Sequence, residues 1–257
     1  MLTSQRKAAI LEMLRNSGGV VAKDLARMWN VSEDTVRRDL RELASEGLLQ
    51  RVHGGALPIS AAAGDFDARR TIATAEKQVV ARRAASLIGE GQTVFIDGGT
   101  TAQALCRALA PDLRATVITH SPTIAVELTS HPSVDVLLIG GRVYRHSVVA
   151  TGAVAAEQIA AIGADMFFMG VSGVHHRQGL TTGDAEEAAI KRAISRRCSD
   201  TYVLASSEKL GTATPFRVLD FSEVSAAITD TTDARALRPL RKAGLALLTP
   251  RDRADRG

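Results

Sequence analysis

The 257-residue sequence predicts an α/β protein in which a small N-terminal domain of three helices and a hairpin precedes a larger, mostly parallel α/β domain. Three observations predict it. The first sixty residues space their apolar positions as short helices do, whereas the remainder alternates continuous apolar runs with helical stretches. Apolar runs without alternation are strands buried on both faces, and such strands separated by helices form a parallel sheet. Between the two regions, LPISAAAGDFDARRTIA mixes Pro, Ala, Gly and isolated charges without periodicity, the composition of a linker.

In the first region helical spacing places Ile10, Leu11 and Leu14 in one helix, Leu25 and Met28 in a second, and Val36, Leu40 and Leu43 in a third. Gly18 and Gly19 stop the first helix and Asn30 closes the second. Ser32 caps the third, where its hydroxyl accepts an otherwise orphaned backbone N–H. LLQRVHGGAL then has two β-capable flanks around a glycine pair, as a hairpin does. The domain is read as residues 1–56, the linker as 57–73, the larger domain as 74–250 and a charged, frayed tail as 251–257. The larger domain opens with a basic helix, AEKQVVARRAASLI. Its strands are TVFID, ATVIT, VDVLLIG, MFFMGV, YVLA, SAAIT and LALLT, with helices over 102–109, 123–129, 154–161, 185–197 and 234–243.

Composition narrows the function classes. A hydrophobic share of 45% against 23% charged is that of a compact globular chain and excludes disordered, collagenous and disulfide-scaffold classes. The longest apolar stretches fall short of the roughly 18 residues of a membrane span. The segment MLTSQRKAAILEML carries Glu12 inside its apolar run and has neither the core nor the cleavage site of a secretory signal. Cys106 and Cys198 belong to no CxxC pair or His cluster, so a cytoplasmic chain with two small buried thiols is expected. His175 and His176 lie in a polar loop and are expected on the surface, and no metal or cofactor is expected. The formal charge of +4 points only weakly to a polyanionic partner.

Placement of charge says more than its sum. Residues 1–56 hold nine Lys and Arg against seven Asp and Glu. With Val36, Leu40 and Leu43 facing the core, Asp34, Arg38 and Arg41 point away, and Thr35 and Arg37 lie on the flanks. A helix presenting Thr and Arg outward suits the DNA major groove, where a guanidinium matches O6 and N7 of guanine and further arginines meet phosphates. Asp39 is expected to orient one of these arginines or a neighbouring helix. The ordered stretches SEDTVRRDL and RVHGGA resemble the recognition helix and wing of the winged helix-turn-helix of the DeoR family of bacterial transcriptional repressors. That resemblance implies DNA contacts from Ser32, Thr35, Arg37, Arg38, Arg41, Arg51 and His53.

In the larger domain, FIDGGTTAQAL ends a strand in Asp97 and opens a helix after Gly98 and Gly99 with Thr100 and Thr101. Converging backbone N–H groups, a helix N-terminus and two hydroxyls make a phosphate cradle, although neither GxxxxGK[ST] nor GxGxxG is present. Other strand ends add His120 and Ser121, Gly141 and Arg142, Gly152, Glu187, Lys191 and Lys209. The lysines would pair with a phosphate, and Asp97 and Glu187 would accept from sugar hydroxyls. In order, these motifs resemble the effector domain of the same family, which is similar in fold to ribose-phosphate isomerases and CoA transferases. Two positions depart from the family pattern: His120 stands where Asn is common, and Ser206 stands where Asp is common, which removes a hydroxyl acceptor.

The expectation is a repressor of a carbohydrate or polyol catabolic operon that acts as a homodimer or homotetramer on double-stranded operator DNA. A phosphorylated sugar or polyol would release it, with the linker and basic helix carrying the coupling. The alternatives are a sugar-phosphate isomerase or transferase bearing a DNA-binding head, and an activator.

Overall fold

A computed structural model describes residues 2–250. The expected tail, 251–257, lies outside the described residues. In the head, α1 (Thr3–Ser17) ends at Gly18, whose φ of 72° closes the helix with a left-handed residue. β1 (Val20–Val21), α2 (Ala22–Trp29) and α3 (Glu33–Ser45) follow, then β2 (Gln50–Val52) and β3 (Gly55–Leu57). Ile10, Leu14, Leu25, Val36, Leu40 and Leu43 form one apolar cluster between the three helices. The wing has three strands in the order β1-β3-β2. Sequence pattern reveals only two of them, because β1 is two residues long and carries no periodicity. Gly55 is obligatory here: a Cβ on it would lie 1.9 Å from the Val20 carbonyl oxygen across the β1–β3 pairing.

The linker is not a free tether. Ser60 and Ala62 are buried, and the Ser60 hydroxyl donates to the Ser172 carbonyl. A 3-10 turn (Ala61–Ala63) leads into α4 (Phe66–Arg70), capped by Asp65, which accepts from the Ala68 N–H at 2.8 Å. The segment is a strap laid on the larger domain.

That domain runs α5 (Thr74–Ala85), β4 (Thr93–Ile96), α6 (Thr100–Arg107), β5 (Ala115–Thr119), α7 (Pro122–Leu128), β6 (Val134–Leu138), β7 (Arg142–Tyr144), β8 (Val149–Thr151), α8 (Ala153–Ala160) and β9 (Ala164–Gly170). It continues with β10 (Gly173–His175), β11 (Gly179–Thr182), α9 (Ala185–Ser195), β12 (Cys198–Leu204), β13 (Phe216–Leu219), β14 (Ala226–Ile228), α10 (Ala234–Lys242) and β15 (Leu247–Leu248). Seven strands form one sheet in the order β15-β14-β12-β9-β4-β5-β6, and every pairing in it is parallel. Apolar clusters cover both faces, one around Phe95, Phe167 and Met169, the other around Val94, Leu105 and Phe168. The chain steps outward from β4 to β6, then returns to β9 on the other side of β4 and steps outward again. Ligands in open α/β sheets bind beyond the strand ends at such a reversal, which here lies between β4 and β9.

Two additions fall outside the sequence expectation: the β7–β8 hairpin and an antiparallel sheet in the order β10-β11-β13. His175, expected on the surface, is 7% exposed because it sits in β10 rather than in an open loop. Burial pushes both thiols, Cys106 and Cys198, up to about 12, which keeps them protonated and unreactive.

Candidate DNA interface and ligand pocket

In α3 the Ser32 hydroxyl accepts the Thr35 N–H at 3.2 Å and lies 2.9 Å from the Thr35 hydroxyl. Val36, Leu40 and Leu43 are buried with Asp39. Asp39 accepts two bonds from Arg6 of α1, at 2.7 and 3.2 Å, and Lys7 reaches Glu42 at 2.9 Å and Glu46 at 3.1 Å. Asp39, Glu42 and Glu46 therefore fasten α1, and Asp39 holds a neighbouring helix rather than an outward arginine. Arg38 and Arg41 are exposed and make no ion pair among the described residues, whereas Arg37 is taken by Glu33 at 2.8 Å and Asp34 at 3.8 Å. In the wing, Arg51 and His53 are exposed. The helix and wing present Arg38, Arg41, Arg51 and His53 to solvent, with Glu33 and Asp34 at the helix start engaged by Arg37.

The pocket lies at the β4–β9 reversal. Gly98 and Gly99 form its floor. A Cβ on Gly98 would stand 2.3 Å from a Val149 methyl, and Gly99 has a φ of 107°, so the turn admits no other residue without rearrangement. The first N–H groups of α6 have no intrahelical acceptors, and the Thr100 and Thr101 side chains flank them. Around this cradle stand Arg69 and Lys77 from the strap and α5, Glu187 and Lys191 from α9, and Glu208 and Lys209 after β12.

Behind the floor, Asp97 is wholly buried. It accepts from the Gly98 and Gly170 N–H groups, each at 2.8 Å, and from the Lys191 ammonium. His120 Nε2 lies 2.8 Å from the same carboxylate and its Nδ1 lies 2.9 Å from the Ala150 carbonyl oxygen. Both ring nitrogens of His120 thus face oxygen acceptors, and the ring is held between them. Burial would raise the Asp97 pKa, but the Lys191 charge and the His120 hydrogen bond outweigh it and hold the carboxyl well below the usual range. Burial likewise opposes the Lys191 charge, and Asp97 and Glu187 overcome it, so its pKa is raised. Asp97, His120 and Lys191, with Glu187 3.5 Å from Lys191, form a connected buried set.

The other cations differ. Arg69 donates to the His146 carbonyl at 2.7 Å and to the Asp65 carbonyl at 3.3 Å. Lys77 donates to the Arg69 and Ile72 carbonyls at 2.7 and 2.5 Å. Lys209 donates to the Leu204 carbonyl at 3.1 Å and to the Thr101 hydroxyl at 3.4 Å. None makes an ion pair among the described residues, and burial lowers the pKa of all three, Lys209 to about 8. Besides Glu187, the carboxylate that lines the pocket is Glu208. Its Oε1 accepts from the Ser206 hydroxyl at 2.7 Å, while its buried Oε2 has no donor. Desolvated cations without counter-ions favour an entering anion.

Of the residues expected from sequence, Gly98, Gly99, Thr100, Thr101, Glu187, Lys191 and Lys209 line the pocket. Asp97 and His120 lie beneath it, and Ser121 is turned to the Val148 carbonyl at 2.9 Å. Gly141, Arg142 and Gly152 do not line it: Arg142 is exposed and paired with Glu186 at 2.5 Å, and Gly152 precedes α8 as its cap. Sequence reasoning passed over Arg69, Lys77 and Glu208 as ligand contacts. The local signal for the first was Asp65, a helix-capping residue inside the presumed linker.

The DeoR-like helix-turn-helix domain matches residues 6–62, and the DeoR C-terminal sensor domain matches residues 72–231. The chain belongs to the DeoR family of transcriptional regulators. It is 31% identical to the HTH-type transcriptional regulator GlpR of Haloferax volcanii over 96% of this chain and 98% of that one. The HTH-type transcriptional regulator GolR of Listeria innocua is 31% identical over 95% and 98%, and the glycerol-3-phosphate regulon repressor of Escherichia coli is 31% identical over 90% and 92%. Among solved structures, ribose 5-phosphate isomerase A of Methanocaldococcus jannaschii aligns with 53% of this chain and 54% of its own at a TM-score of 0.40 and 16% identity, too slight a likeness to bear on function. No helix among the described residues is long and apolar enough to cross a membrane.

Proposed function

We propose that this family member is a cytoplasmic repressor of a carbohydrate or polyol catabolic operon, and that a phosphorylated sugar or polyol entering the pocket releases it from operator DNA. The observation that carries this reading is the half-buried Arg69 with the buried Lys77 and Lys209, none in an ion pair among the described residues, around a Gly-Gly-Thr-Thr helix start. The pocket lining holds four cations, Arg69, Lys77, Lys191 and Lys209, against two carboxylates, Glu187 and Glu208, an excess of two positive charges that matches a phosphate dianion. The free Glu208 Oε2 supplies the hydroxyl acceptor that Ser206 no longer provides, so specificity for the polyol would rest there. The glycerol-3-phosphate regulon repressor among the relatives supports the ligand class. The head would bind symmetric half-sites as a homodimer or homotetramer, with Ser32, Thr35, Arg37, Arg38, Arg41, Arg51 and His53 at the DNA.

Coupling would pass through the strap. The void within the pocket measures about 30 Å³, room for water rather than for a sugar phosphate. Arg69 and the turn at Ala61 and Ala62 form part of its wall and follow the wing directly in sequence, so admitting a ligand displaces the chain that positions the head. Preference of the ligand for the displaced arrangement is what would weaken DNA binding.

Two measurements test this. On a DNA fragment selected by the purified protein, a screen of phosphorylated sugars and polyols should find one that dissociates the complex without being turned over. Lys209→Met should weaken that response by about 10- to 100-fold, the worth of a charge-assisted hydrogen bond; an unchanged response would remove Lys209 from the site. Ligand affinity should also depend on pH. A bound phosphate favours the ammonium form of Lys209, so affinity is full below about 8 and falls as the pH rises through that value. The phosphate itself is already a dianion there, its second pKa being about 6. A profile flat to pH 9.5 would contradict the assignment.

A further inference from the structure

Beside the pocket, and sharing Lys77 and Thr100 with it, a groove of about 340 Å³ runs between α5 and α6. Its α5 wall comes from positions 74, 77, 78, 81 and 82 and its α6 wall from 100, 103, 104, 107 and 108, in each case one helical face. Alanines leave the space open. Arg70, Lys77, Arg82 and Arg107 charge it, Gln78 and Gln103 offer amides, and no carboxylate lines it. Arg82 makes no ion pair among the described residues. Arg70 has only the exposed Asp67 at 3.8 Å, while Arg107 is held by Glu127 at 2.7 Å.

Arg82 lies five residues beyond Lys77 and Arg107 seven beyond Thr100. At 1.5 Å per residue the far cations stand about 8 to 10 Å from the shared end. We infer that this groove receives a second anionic group of the effector, so that the ligand class is a bis-phosphorylated sugar or polyol with its charges at the two ends. The inference rests on the reading of the adjoining pocket as a phosphate site, and it adds a mechanical point. Arg69 and Arg70 are consecutive residues of α4, one lining the pocket and the other the groove. A ligand with two anionic ends grips α4 from both sides, whereas a monophosphate grips it from one.

Titration calorimetry on the full chain tests the inference, comparing glucose 6-phosphate with glucose 1,6-bisphosphate and fructose 6-phosphate with fructose 1,6-bisphosphate. The bisphosphate of at least one pair should bind about tenfold or more tightly than its monophosphate. In an Arg70→Gln, Arg82→Gln variant that advantage should vanish while monophosphate affinity is retained. Monophosphate binding without a bisphosphate advantage, or an advantage that survives in the variant, overturns the groove and leaves the pocket reading intact. Binding of no compound overturns both. A change in the variant's mass by light scattering with no change in ligand preference makes the groove a contact between subunits and also overturns the inference.

Discussion

Asp97→Asn is expected to cost the larger domain about 3 to 5 kcal/mol, the penalty for removing one partner of a buried ion pair. For a domain of this size that is a fall in melting temperature on the order of 10 °C. The carboxylate has polar partners on four sides: two backbone N–H groups, the His120 ring and the Lys191 ammonium. An amide in its place brings two N–H groups of its own, which must face one of the backbone donors. Lys191 keeps only Glu187, at 3.5 Å. The dependence on pH has a definite sign. The depressed carboxyl of Asp97 stabilises the fold above the unfolded carboxylate value near pH 4, and this contribution is lost as pH falls through the lower folded value. The raised Lys191 contributes fully below its unfolded value near 10.4 and loses that contribution above it. The difference between wild type and variant should therefore be flat from about pH 5 to 10 and shrink in acid. A shift of less than about 2 °C in differential scanning calorimetry would show that the set is not ionised as described.

His120 and Asp97 show how far sequence alone carries. The strand ends that bear them were legible because β4 and β5 are short, largely apolar runs, TVFI and ATVIT, and such runs survive any change of neighbour. The Gly-Gly-Thr-Thr cradle was legible for the same reason: its chemistry is local to one turn. What His120 does was not. A departure from the family pattern at the end of a strand reads as a change in ligand, yet the ring is 0% exposed and spends both nitrogens on Asp97 and Ala150. Only three-dimensional proximity separates a residue that lines a pocket from one that holds its floor. Arg69 failed in the opposite direction. Five residues of α4 are too few for a helical period, and the alanines and glycine around them have the composition of a tether. β7, β8, β10, β11 and β13 were missed because strands of three or four mixed residues carry no pattern of their own and exist only through their partners.

The head yields the second large effect, in DNA recognition. Arg38→Ala should reduce discrimination between the operator and random DNA by about 1 to 3 kcal/mol, the value of a bidentate contact to guanine. Arg38 stands on the face opposite Val36, Leu40 and Leu43, is exposed, and has no acidic side chain to release before it binds. Arg37, on the flank, must first break its pair with Glu33, so Arg37→Ala should cost less. Exposed pairs of that kind are worth only a few tenths of a kcal/mol to the free protein, which makes the exchange for a phosphate feasible. Arg51→Ala in the wing should weaken operator and random DNA equally and reduce the salt slope by about one. Binding titrations at several salt concentrations separate these outcomes. Equal losses on both DNAs for Arg38→Ala would make it a phosphate contact and move the base reading to Thr35 or Arg41, the remaining side chains on the outward part of the helix.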